Sequence, residues 1–246
     1  MIRSILLLIY LALCIVVVLP WFILWTVLTG NPELMYAMSM KAVRGGNRIA
    51  GMRVRVEGIE NVPPGACVFI ANHVSNVDPL AMFPAVPQRL GVLIKKELLN
   101  IPILSAGMRR AHFVPVDRSD REAAAASVDI AVRDLKEGVS FAIFAEGTRS
   151  ADGRLRTFKR GGFSIAIAAA SPVVPVSIAG TQHIIRKNDW KLHPGEVTVR
   201  FGPAIDAAAY TPDRRTELLD RVHAAVAAGL PPDQQPAGSP AVEAGE

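Results

Sequence analysis

Two polar clusters in this 246-residue chain follow apolar runs and hold side chains able to move a proton or grip an anion. The first is Asn72-His73-Val74-Ser75-Asn76-Val77-Asp78-Pro79. His73 and Asp78 are five residues apart, which on a straight helix puts them about 140° apart around the axis. They meet only if the chain turns. Pro79 biases Asp78 away from helical geometry and so favours a turn. A His–Asp pair brought together this way is a general base with an orienting carboxylate. Left apart, the same residues are a surface loop with a histidine in it. Ser75 lacks the neighbours of a nucleophile elbow.

The second cluster is Phe144-Ala145-Glu146-Gly147-Thr148-Arg149-Ser150. A glycine turn that projects Thr and Arg beside backbone amides can cradle a phosphate. It can equally be an ordinary charged turn, and Glu146 suits orienting a base better than touching an anion. Lys95-Lys96, Asp117-Arg118 and Phe158-Lys159-Arg160 add bases at strand ends or a helix start, positions from which they could converge on one cleft.

The elements that must hold these clusters are legible as short apolar runs. Val54–Val56, Ala66–Ala71, Gly91–Ile94, His112–Val116, Ser140–Ala145, Val173–Ile178 and Val197–Phe201 read as strands. Several are apolar throughout, as in strands covered on both faces. Helical stretches lie between them: Arg121–Glu137 with Gly138 as its stop, Gly162–Ala170, and one opened by Thr211-Pro212-Asp213 that runs to Ala228. Alternating strands and helices predict an α/β domain whose central sheet is mostly parallel and flanked by helices. In such sheets a site forms at the carboxyl ends of the strands.

Residues 5–28 carry no charge, and about 20 apolar residues suffice to cross a bilayer core. The run is longer than a signal peptide's core of about 7–15 residues and lacks a small-x-small end. Trp21 and Trp25 suit an interfacial belt. Pro20 inside the run predicts a kink or a re-entrant hairpin. Asn31, Pro32 and Glu33 signal a following helix, expected to be amphipathic and to lie on lipid through Lys41, Arg44 and Arg48, with Gly45-Gly46 as its break. The division expected is a membrane segment at 1–30, an interfacial helix at 31–52, a main domain at 53–230, and a Pro-rich disordered tail at 231–246.

Half the residues are hydrophobic and 6% aromatic, which excludes a disordered chain. Cys14 and Cys67 are the two cysteines, too few for a disulfide scaffold or a four-cysteine zinc site. The five histidines show no ligand spacing, so no metal site is expected. All but one of the 27 basic side chains and all but three of the 22 acidic ones fall between residues 31 and 230. A basic body joined to an oily end points to a membrane surface or to phosphorylated ligands. Arg3 before the apolar run, against Lys41, Arg44 and Arg48 after it, favours the main domain on the cytoplasmic face.

In their order, these blocks resemble the glycerolipid acyltransferase family, most closely its 1-acylglycerol-3-phosphate acyltransferases. The matching residues are Asn72-His73 with Asp78; Phe113, Asp117 and Arg118; Phe144 with Glu146-Gly147-Thr148-Arg149-Ser150; and Val174-Pro175-Val176. Lys95-Lys96-Glu97-Leu98 and Phe158-Lys159-Arg160-Gly161 also match, so the likeness covers about residues 54–205. It departs at Ala145, where the family usually has proline, and at Pro115-Val116, which keeps the apolar character.

The resemblance implies that fold and a transferase working at the bilayer. His73 and Asp78 would be catalytic, without an acyl-enzyme intermediate. Arg118, Glu146, Gly147, Thr148 and Arg149 would bind the acceptor's phosphate. Asn72, Lys95, Lys159 and Pro175 would support the site. The implied partners are membrane lipids, lysophosphatidic acid as acceptor and a thioester donor on coenzyme A or acyl carrier protein. No cofactor and no nucleic acid are implied.

Overall fold

The computed structural model describes residues 1–100, 105, 108, 111–116, 121–185 and 189–236. In chain order its main helices are α1 (Ile2–Leu13), α2 (Leu19–Thr29), α3 (Glu33–Ala50), α4 (Asp78–Met82), α5 (Arg121–Lys136), α6 (Gly161–Ala169), α7 (Thr181–Ile184) and α8 (Arg215–Ala228). The strands are β1 (Met52–Glu57), β2 (Val68–Ala71), β3 (Leu90–Lys95), β4 (Phe113–Val116), β5 (Ser140–Phe144), β6 (Val173–Ala179) and β7 (Gly195–Phe201).

They form one seven-stranded sheet in the order β1-β7-β6-β2-β5-β3-β4. Every pairing is parallel except β6 with β7. The mostly parallel sheet expected from the strand–helix alternation is therefore present, with all seven strands near their expected places.

The apolar strands are continuous because both faces are covered. Along β2, Ile70 faces one core with Phe141, Ile143, Phe163 and Leu218, under α5, α6 and α8. Its neighbour Phe69 faces the other, with Met82, Val174, Val176 and Ile184, under α4 and α7. Successive side chains of a strand point to opposite faces, so an uninterrupted apolar run fills both layers.

The charge-free run lies within one helical path from Ile2 to Thr29, apolar enough to cross a membrane and with none of its most apolar 18-residue window buried. Between α1 and α2 it widens into a π-turn at Cys14–Val18. Pro20 lacks an N–H and its ring crowds the carbonyl one turn earlier, and the wider turn absorbs that conflict. Gly30, at φ +69°, ends the path. Asn31 Oδ1 accepts the Glu33 N–H at 2.8 Å and starts α3, as its residue type predicted.

α3 then packs back along α1 and α2 as a hairpin. Gly45-Gly46 do not break it, contrary to expectation. A Cβ on Gly45 would lie 2.4 Å from the Tyr10 hydroxyl oxygen, and one on Gly46 3.3 Å from Leu7 Cδ1. The pair is the notch into which α1 fits, and the tertiary contact outweighs the low helix propensity of glycine. Nor is the basic face wholly given to lipid. Arg44 Nη2 donates to the Pro84 carbonyl at 2.7 Å, and buried Asn47 donates to the Leu80 carbonyl at 2.8 Å.

The tail departs from expectation in part. Residues 231–236 pack on the domain, with Gln234 buried and its carbonyl accepting the Leu155 N–H at 2.8 Å. Residues 237–246 lie outside the described residues.

Candidate active site

Three adjacent central strands, β6, β2 and β5, end side by side, and the loops leaving their carboxyl ends build the site. Asn72 continues the sheet one residue beyond β2 with its side chain. Its Nδ2 donates to the Ile178 carbonyl at 2.9 Å, and its Oδ1 accepts the Ile178 N–H at 2.8 Å. This amide imitates a strand pairing, so the chain leaves the sheet at a fixed point and His73 emerges there.

His73 Nδ1 lies 2.8 Å from Asp78 Oδ2. Asp78 is fully buried. The same Oδ2 accepts the Val74 N–H at 2.8 Å and the Ser75 N–H at 2.9 Å. The chain thus turns back around the carboxylate, but the turn lies before Asp78, which is itself the first helical residue of α4 with Pro79 in the first turn, where its missing N–H costs nothing. Oδ1 accepts the Thr181 hydroxyl, which comes from the first residue of α7. An ionised carboxylate can only accept, so Nδ1 must carry the proton and Nε2 is left as the basic nitrogen. No described residue hydrogen-bonds Nε2. The imidazole leans on the Phe144 ring, with centroids 4.5 Å apart.

Glu146 braces the same loop from the β5 side. Its Oε1 accepts the His73 N–H at 2.8 Å, while its buried Oε2 has no hydrogen-bond partner among the described residues. Burial pushes the Glu146 carboxyl up to about 7, and the His73 and Arg156 backbone only partly offsets this. The carboxyl group is turned inward onto the His73 backbone, and Glu146 is buried and not on the lining of the cleft that Thr148 and Arg149 border. Ser150 N–H donates to the His73 carbonyl at 2.8 Å, closing the second cluster against the first.

Gly147 takes φ +72° and turns the chain outward, leaving Thr148 and Arg149 exposed. They line an open cleft of about 740 Å³ with Ser75, Asn76, Gln182 and Trp190. His73 itself is not on this lining, which begins with the next residue, Val74. The side chain of Arg149 forms no hydrogen bond with a described residue.

The other expected site residues are scattered. The Lys159 N–H donates to the Ala145 carbonyl at 2.6 Å, and its exposed side chain is not on the cleft lining. Pro175 is buried within β6 opposite Ile70. Lys95 ends β3. Arg118 lies outside the described residues. Reading the sequence passed over Thr181. Its signal was the one used elsewhere, a glycine and a polar residue directly after a buried strand.

Neither cysteine nor serine supplies a rival nucleophile here. Burial pushes the Cys67 thiol up to about 12, which leaves it inert. Ser75 is buried, and the imidazole beside it is already oriented by Asp78.

A family model described as Acyltransferase matches residues 53–179, the span that carries the sheet's first six strands and both polar clusters. The chain belongs to the acyltransferase family. This acyltransferase is 33% identical over 192 residues to a 1-acyl-sn-glycerol-3-phosphate acyltransferase of Limnanthes douglasii, covering 78% of this chain and 68% of the relative. It is 32% identical over 196 residues to the enzyme of that name from Pseudomonas aeruginosa, covering 78% and 76%. The crystal structure of the 1-acyl-sn-glycerophosphate acyltransferase PlsC from Thermotoga maritima superposes with a TM-score of 0.76 at 30% identity, over 93% of this chain and 95% of that one. This chain is therefore an acyltransferase enzyme by kinship, on the fold of a solved acyltransferase.

Proposed function

We propose that this acyltransferase moves an acyl group from a thioester onto the sn-2 hydroxyl of 1-acylglycerol 3-phosphate, giving phosphatidic acid. The observation that carries the reading is the His73–Asp78 pair, 2.8 Å apart with Asp78 buried and Nε2 unengaged among the described residues. The relatives named above, called 1-acyl-sn-glycerol-3-phosphate acyltransferases, supply the acceptor.

In this reading Nε2 takes the proton of the acceptor hydroxyl as its oxygen attacks the thioester carbonyl. Asp78 holds the tautomer and stabilises the imidazolium that forms. The tetrahedral intermediate collapses, the C–S bond breaks, and the imidazolium returns its proton to the departing thiolate. The acyl group passes directly between substrates, with no acyl-enzyme. Arg149 and Thr148, set outward by the Gly147 turn, hold the acceptor's phosphate, and a guanidinium suits that role. Arg118 completes the phosphate set, and coenzyme A or acyl carrier protein carries the donor.

The enzyme works on the bilayer from the cytoplasmic face, with the apolar hairpin as its anchor. Exposed Trp21, Trp25 and Leu28 at the far end of the hairpin support the anchoring, and the flanking bases Lys41, Arg44 and Arg48 support the face.

The test is acyl transfer on membranes containing the protein, using lysophosphatidic acid and labelled acyl-CoA beside a His73→Ala variant. Labelled phosphatidic acid is expected from the wild type, with turnover abolished in the variant and its membrane association intact. Normal turnover by the variant would remove the general base from the mechanism. Transfer to another lysolipid alone would change the acceptor and keep the chemistry.

A further inference from the structure

Asp78 is held asymmetrically. Three donors, the His73 ring and the Val74 and Ser75 N–H groups, converge on Oδ2. Among the described residues Oδ1 has one donor, the Thr181 hydroxyl, which comes from 103 positions away in the chain. Thr181 is itself fully buried. Its position is set by the turn before it. Gly180 sits at φ +93°, and a Cβ there would lie 2.3 Å from the Glu196 carbonyl oxygen. The Asn72 amide pins Ile178, three residues upstream, to the end of β2. The hydroxyl thus arrives from β6 on a path with little freedom.

We infer that Thr181 is a positioning residue of the reaction, which tunes the His73 base through Asp78 by donating to the carboxylate oxygen that the catalytic loop leaves unserved. The inference rests on the general-base reading of His73. A donor on Oδ1 spreads the carboxylate's charge away from the oxygen facing the imidazole. Without it, a buried anionic oxygen has no partner, and the carboxylate binds the imidazolium more tightly. His73 then holds a proton at higher pH and is a base over a narrower range. Among the described residues, the other ionisable groups around the His73 loop are Glu146, with Arg156 behind it, and Arg149, Asp152 and Asp189, which line the cleft beside Val74 and Ser75. No hydrogen bond joins Glu146 to Thr181, so its influence is common to all the variants compared.

The experiment compares wild type, Thr181→Val and Thr181→Ser in full-length protein. One arm titrates the His73 imidazole by NMR, with His73→Gln to assign the signal. The second measures kcat and KM against pH, and thermal midpoints establish that each variant is folded. On the acid limb of the rate profile, where His73 of the variant stays protonated, kcat should fall about 10- to 100-fold for Thr181→Val, as loss of a hydrogen bond to a charged group allows, with the lysolipid KM unchanged. The His73 titration and the acid limb of the rate profile should both move to higher pH. Thr181→Ser should restore the wild-type titration and stay within about threefold in kcat.

An unmoved His73 titration in folded Thr181→Val overturns the inference. Equal damage from Thr181→Ser does so as well, because the methyl group's packing would then be the cause. The titration needs no turnover. Absence of transfer by the wild type therefore counts against the proposed function alone, and the NMR arm still decides the role of Thr181.

Discussion

At the scale of single residues, the two carboxylates beside His73 have opposite tasks. Asp78 accepts four hydrogen bonds, three at Oδ2 and one at Oδ1, and so holds the His73 loop in place. Glu146 accepts one from the His73 N–H, and burial dominates, raising it to about 7. Below pH 4.5 this carboxyl is protonated whether the chain is folded or not, and it carries no penalty. As the pH rises from about 4.5 to 7, the unfolded chain ionises it and the folded one does not, so stability is lost. Above 7 the loss is complete, at about 3 kcal/mol. Glu146→Gln keeps an acceptor for the His73 N–H and removes the charge. Its thermal midpoint should gain on the wild type from pH 5 to about pH 7 and level off above that; a constant difference would mean that Glu146 is not held neutral. Arg149 is the reverse case, exposed on the cleft with no hydrogen bond to a described residue. Arg149→Ala should raise the acceptor's KM by about 10-fold or more, as loss of a charge-assisted contact does, and leave the donor's KM nearly unchanged. A shift in donor affinity alone would move the phosphate cradle elsewhere.

At the scale of elements, the hairpin shows how packing overrides local preference. Two consecutive glycines read as a helix stop, yet α3 runs through them to Ala50 because α1 needs the space. The Tyr10 hydroxyl, donating to the Ala42 carbonyl at 2.9 Å, occupies part of that notch. Gly45→Leu should force the helices apart and cost about 1–3 kcal/mol, as overpacking does. Gly45→Ala should be close to neutral, because one methyl displaces only the end of the Tyr10 side chain while improving helix propensity by about 1 kcal/mol. Thermal midpoints of the two variants decide the matter. Equal losses would point to the glycine backbone as the requirement; no loss from Leu would mean the helices are not in close contact.

At the scale of the whole molecule, the apolar path leaves the domain and the chain comes back to it. Arg3 Nη1 donates to the Ile49 carbonyl at 3.3 Å, and Ser4 Oγ accepts the Leu192 N–H at 3.0 Å. The start of α1 is therefore docked beside the end of α3, and Trp21 and Trp25 sit at the other end. A segment that dips into one leaflet and returns fits this arrangement better than a single crossing. Tags at the two ends of the protein should be cleaved by protease from the same face of sealed vesicles. Cleavage from opposite faces would show that the hairpin opens and α1 crosses the bilayer.

The sequence alone determined the strands, the fold class, the long apolar N-terminal helix and the residues able to do chemistry. Continuous apolar runs, turn residues and charge-free length are local properties, and one sheet architecture satisfies them together. The tertiary structure decided what those residues touch. Thr181 meets Asp78 because β6 lies beside β2, a neighbourhood that no local pattern encodes. Glu146 turns inward because the His73 N–H at the end of the neighbouring strand needs an acceptor. Gly45-Gly46 became a helix notch because a bulky aromatic ring packs opposite them. In each case the deciding partner is distant in the chain; for Thr181 and Glu146 its proximity comes from the strand order of the sheet, and for the glycine pair from the packing of α1 on α3.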